Sequence, residues 1–203
     1  MGMTGNIARP LWAIVSAVGL AALAACGARP PAAPPGPRSA TVRTLPLEQV
    51  LPLESTGPRV NDTIVRWAGG EARTILLQHA DDHVPFAELR FPAAAFPDSG
   101  QPVTVTVRPD SARYGLTVTS DRPWLTGAAG PSIVFKYPVH FRAPDAAGDA
   151  YRATWAYERA LGVARLRGDG QVDLLVTTRP ATDQVQAALL AEPGRYFVAA
   201  PLP

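Results

Sequence analysis

The sequence predicts an all-β fold for residues 40–203, an immunoglobulin-like antiparallel β-sandwich. Three observations carry this reading. Short runs of β-branched and apolar residues recur between turn signals at close spacing, as in sandwiches and barrels. Val103-Thr104-Val105-Thr106-Val107 alternates with a period of two, valines on one face and threonines on the other, which is what a half-buried strand requires. Arg167-Gly168-Asp169-Gly170-Gln171 lies between two apolar runs and has the chemistry of a hairpin turn.

The remaining elements follow in order. Residues 63–67 and 74–78 read as strands separated by Gly69-Gly70. Residues 86–91 alternate, with Ala87, Leu89 and Phe91 opposed to Phe86, Glu88 and Arg90. Residues 114–119 continue in the style of 103–107. Residues 132–141 form an apolar strand in which Pro138, lacking an amide donor, predicts a bulge or an edge position. Residues 161–166 and 172–177 flank the hairpin, and 185–190 and 195–200 flank a tight turn at Glu192-Pro193-Gly194. Residues 150–161 admit two readings. Tyr151, Trp155 and Glu158 recur at helical spacing, whereas Thr154-Trp155-Ala156-Tyr157 also suits a strand.

Composition narrows the function classes. The formal net charge of the 203-residue chain is only +2, so there is no bulk electrostatic reason to bind nucleic acid. Its basic side chains are almost all arginine, with Lys136 the one lysine. Cys26 is the single cysteine, which excludes an internal disulfide and leaves burial to stabilise the fold.

The N-terminal residues have a different logic. Arg9 is the only charged side chain before an apolar run at 11–25, a run too short for a spanning helix of ~20 residues. Leu23-Ala24-Ala25-Cys26 resembles the lipobox of bacterial lipoproteins. That resemblance implies cleavage after Ala25 and acylation of Cys26, with more than one chain giving stable bilayer attachment. It also implies, through Gly27 after the cysteine, the outer membrane of a two-membrane bacterium. Residues 28–38 carry enough proline to suppress helix and sheet and favour an extended spacer. The expected organisation is a signal peptide at 1–25, a lipidated cysteine and Pro/Ala-rich linker at 26–39, and the sandwich domain at 40–203.

Two blocks carry a second resemblance. Leu89-Arg-Phe-Pro-Ala-Ala-Ala-Phe96 precedes the alternating strand, and Gly130-Pro-Ser-Ile-Val-Phe-Lys-Tyr-Pro-Val-His-Phe141 comes later. Together with Gly194-Arg-Tyr-Phe-Val-Ala199, they resemble the ZU-type β-sandwich domain of netrin receptors, ankyrins and zonula occludens protein. Ala94 stands where that family usually has glycine, and Tyr137 separates Lys136 from Pro138. The resemblance implies an adaptor or surface module with no catalytic residues to carry over.

Candidate chemistry is sparse. His79-Ala80-Asp81-Asp82-His83 offers nitrogen and oxygen ligands within five residues, so His79 and His83 are candidate metal ligands, with a polar turn as the plainer reading. His140, inside an apolar run, reads as structural. Neither Ser99-Gly100 nor Gly130-Pro131-Ser132 supplies a nucleophile elbow. Asp145, Asp149 and Glu158 are the weak candidates for a paired-carboxylate hydrolase. Trp124 follows Asp121-Arg122-Pro123 in an expected loop, which makes it a candidate ligand-contact residue. No motif calls for a cofactor. The expectation is a non-enzymatic, lipid-anchored envelope module that binds a protein or glycan partner. An envelope hydrolase and a metal-binding surface lipoprotein are the alternatives.

Overall fold

The valines of 103–107 and the aromatics of 86–91 face one another across a single interior in a computed structural model that describes residues 41–98 and 100–203. The leader, Cys26 and the linker at 26–39 lie outside the described residues. The chain opens with β1 (Thr41–Pro46), β2 (Val50–Pro52) and β3 (Glu54–Ser55). Next come β4 (Thr63–Ala68), β5 (Arg73–Gln78), β6 (Pro85–Phe91), β7 (Pro102–Pro109) and β8 (Gly115–Ser120). Strands β9 (Ser132–Lys136) and β10 (Phe141–Arg142) lead to α1 (Asp145–Ala150) and α2 (Thr154–Ala160). Strands β11 (Gly162–Leu166), β12 (Gln171–Leu175), β13 (Gln184–Ala188) and β14 (Gly194–Pro201) complete the fold.

The strands pair antiparallel in two main sheets. The larger runs β1-β12-β11-β14-β8-β7-β4, with β2 also pairing β14; the smaller runs β13-β9-β6-β5; and β10 pairs β3. Val103, Val105 and Val107 of the larger sheet and Leu89, Ile133 and Phe135 of the smaller are fully buried in one core. The sandwich class expected from the alternating strands is therefore the observed one. Period-two burial explains it: along β7 Val103, Val105 and Val107 are covered while Thr104 and Thr106 between them stay partly accessible.

Several local readings change in the structure. The apolar run at 132–141 is not one strand. Pro138 ends β9 rather than bulging it, and Pro138–His140 form a turn before β10. The turns at Gly69-Gly70 and Glu192-Pro193-Gly194 join strands of different sheets, whereas Gly168-Asp169-Gly170 closes a true hairpin between β11 and β12. The strand reading of 154–157 fails, because these residues begin α2. Its register buries Tyr157, whose hydroxyl donates to the Leu51 carbonyl at 3.3 Å. The Arg179 guanidinium donates to the carbonyls of Glu158, Arg159 and Leu161, satisfying the orphan acceptors at the end of α2.

Strands β1 and β2 are short and end at Pro46 and Pro52, so neither shows a sustained alternating pattern. Their partners, β12 and β14, are separated by β11, so residues 41–52 reach both flanks of that strand. Leu45 and Val50 thereby complete a second small core with Ala164, Val172, Phe197 and Ala199. Gly115 marks the tightest strand approach: a Cβ there would meet the Phe197 Cβ at 2.6 Å.

Candidate ligand-binding cleft

The loop between β3 and β4 faces the turn between β7 and β8, and a cleft of about 460 Å³ opens between them. This is within the usual size of small-ligand sites. Proline and glycine set the loop, Thr56-Gly57-Pro58, and an Asx turn sets the other wall. There Asp110 Oδ1 accepts from the amides of Ala112 at 3.0 Å and Arg113 at 3.3 Å. Val60, Phe86, Pro58 and Pro109 supply apolar lining; Arg59, Asp62, Asp110 and the hydroxyls of Ser55 and Ser111 supply the polar groups. Asp62 faces Arg108 at 3.8 Å, both largely exposed.

A histidine pair supports the loop from behind. His79 is fully buried, and its Nδ1 lies 2.7 Å from the Pro58 carbonyl. A carbonyl only accepts, so Nδ1 donates to it, and Nε2 is buried with no hydrogen-bond partner among the described residues. The His140 ring packs against it with centroids 4.7 Å apart, and His140 Nε2 donates to Asp82 Oδ2 at 2.5 Å. The Val84 amide and then His140 hold the Asp82 carboxyl below its ordinary value. His140 adopts φ 63°, in the left-handed region. Gly57 must be glycine here, because a Cβ would lie 2.4 Å from the Cβ of His140.

His79 and His83, the weak metal candidates beside the plainer polar-turn reading, lie in different surroundings. His79 is interior and committed to Pro58, while His83 is exposed with φ 58°. Among the described residues no group of three or more His, Cys, Asp or Glu is arranged to hold an ion. The partners that His79 does have, His140 and Pro58, are distant in sequence, and no local spacing announces them. His140 itself belongs to a turn rather than a strand.

The Trp124 reading is corrected too. It occupies a loop as expected, but its ring is only 4% exposed and its Nε1 donates to the Leu190 carbonyl at 2.7 Å. Edge contacts with Phe91 and Phe96 complete its burial, so it packs the interior instead of presenting a face. Among the described residues, the tryptophan at the surface is Trp155 on α2, 63% exposed beneath the Arg159 guanidinium. Asp145 and Asp149 on α1 and Glu158 on α2 are exposed and outside the cleft lining.

A second concavity, at the β11–β12 hairpin, contrasts with the cleft. Its charges already answer one another: Arg165 pairs with Glu192 at 3.0 Å, Arg167 with Asp169 at 3.3 Å, and Asp173 accepts from Thr44 at 2.7 Å. That network is mostly occupied by the protein itself, with Arg165 Nε buried and without a hydrogen-bond partner among the described residues. In comparisons with known proteins, no family model, no curated protein and no solved structure matches this chain.

Proposed function

We propose that this chain is a non-enzymatic, lipid-anchored envelope protein whose β-sandwich binds a partner through the cleft between residues 55–62 and 109–111. The observation that carries the binding reading is a cleft in which the Arg59 guanidinium and the Ser55 and Ser111 hydroxyls make no hydrogen bond among the described residues, set on a wall that His79 braces through Pro58. The Leu23-Ala24-Ala25-Cys26 motif supports the anchor, and Gly27 supports the outer membrane. The ZU-type resemblance of residues 89–96 and 130–141 supports an adaptor role over catalysis. The hydrolase alternative draws less support, since its three candidate acids lie outside the cleft lining.

Two experiments test the two halves of this reading. Cys26→Ala is expected to move the protein from the membrane to the soluble fraction and to abolish labelling by a radioactive fatty acid. Unchanged membrane attachment would overturn the anchor. Thermal unfolding of the full chain against cell-wall peptides, glycans and candidate envelope proteins tests the cleft. A ligand at 100 times its dissociation constant adds about 2.7 kcal/mol, and Arg59→Gln is expected to remove that gain.

A further inference from the structure

Resting on the binding-cleft reading above, we infer that the cleft takes a dipolar ligand, a short peptide bearing both a free carboxylate and an ammonium group. Arg59 is exposed at the cleft, and its guanidinium makes no hydrogen bond or ion pair among the described residues. A guanidinium left free beside an apolar wall is a bidentate receptor for a carboxylate. The same cleft holds two carboxylates. Asp110 uses Oδ1 for the amides of Ala112 and Arg113, leaving Oδ2 available. Among the described residues, Asp62 has only its long 3.8 Å pairing with Arg108. The hydroxyls of Ser55 and Ser111 make no hydrogen bond among the described residues and can complete either end.

The combination discriminates between ligand classes. A simple anion would meet Asp62 and Asp110, and a simple cation would meet Arg59. A neutral sugar prefers an open aromatic platform, but Phe86, the aromatic residue of the lining, is 1% exposed and supplies no such surface. A peptide with free ends satisfies both signs at once, and small side chains can lie on Val60, Pro58 and Pro109. Arg59 receives the carboxylate; Asp62 and Asp110 receive the ammonium.

The test is isothermal titration of the full-length chain with trialanine, its C-terminal amide, its N-acetyl derivative and, as the neutral comparison, chitotriose. Trialanine is expected to bind, with amidation weakening it tenfold or more in the natural chain and having no effect in Arg59→Gln. Acetylation is expected to weaken binding in the natural chain and to matter less in Asp62→Asn or Asp110→Asn. The side-chain amide introduced by Asp110→Asn retains an oxygen for the turn, and the Arg59 guanidinium has no partner to lose among the described residues, so these variants keep the fold; their melting curves verify it. Equal binding of free and blocked peptides overturns the dipolar assignment. Chitotriose binding that depends on Arg59 overturns the ligand class while leaving the cleft reading intact. A flat panel that Arg59→Gln does not alter overturns the dipolar assignment and leaves the cleft reading to the envelope-protein arm of the thermal test.

Discussion

The Tyr114 hydroxyl donates to the Lys136 carbonyl at 2.5 Å, tying the entry to β8 in the larger sheet to the end of β9 in the smaller. The ring is fully buried between Phe86, Phe135 and Tyr137. Tyr114→Phe keeps that packing and removes only the donor. A buried acceptor left without its partner costs about 1–3 kcal/mol. Guanidinium unfolding is expected to show a lower midpoint with unchanged slope; an unchanged midpoint would mean that water replaces the bond.

Buried tyrosines give the protein an alkaline limit. Burial pushes the Tyr196 hydroxyl up to about 12 from 10.0, and burial raises Tyr114 and Tyr157 further. Each is neutral in the folded state over a range where the unfolded chain ionises. The stability they allow is fully present below pH 10 and is lost as pH rises toward the folded values. Equilibrium unfolding between pH 8 and pH 12 should weaken steeply above pH ~10. Tyrosinate absorbance should appear together with loss of the far-ultraviolet β signal. Smooth ionisation of these tyrosines in a folded chain would contradict their burial.

Glu88 gives the opposite slope. The Lys136 ammonium at 2.7 Å, and then Arg90, hold its carboxyl below 4.5. A depressed carboxylate stabilises the fold above its unfolded value, and that stability disappears as pH falls through the folded one. Lys136→Met is expected to cost about 1 kcal/mol or less at pH 7, because the pair is only partly shielded from water. The difference from the natural chain should shrink toward pH 3. A pH-independent difference would assign the loss to packing of the lysine stem.

Arg179 and Trp155 separate a structural from a surface role on the same helix. Arg179 holds three carbonyls at the end of α2. Arg179→Ala is expected to cost about 1–3 kcal/mol and to speed amide exchange in residues 154–161. Trp155→Ala is expected to change stability by less than about 0.5 kcal/mol, since its ring is mostly in water. Equal losses would show that α2 depends on its exposed face.

The legible part of this fold was the part governed by local periodicity. Val103–Val107 and Leu89 and Phe91 declared their buried faces by spacing alone, and 167–171 declared its hairpin, whereas Phe86, which the alternation sets on the opposite face, is also buried where the β5–β6 register shifts. Turn chemistry marked where strands stop without saying which sheet receives the next one, so β4–β5 and β13–β14 became corners. Strands β1 and β2 were hidden because they are short and end at prolines and their stability comes from partners more than a hundred positions away, such as Leu45 opposite Val172. The cleft was illegible for the same reason. Arg59 and Asp110 meet only through tertiary structure, and nothing about Trp124 in sequence reveals that Leu190 would accept its indole proton.

The two-sided attachment of residues 41–52 has a mechanical meaning. Tension entering at Thr41 and directed along β1 loads its ladder with β12 in shear, with the rows from Arg43↔Leu174 to Pro46↔Gln171 resisting together. Even if those rows yield, the pull next reaches Val50–Pro52 and their separate pairing with β14. A domain hung from a surface by this end would have two fastenings in series before force reached the walls of its cleft.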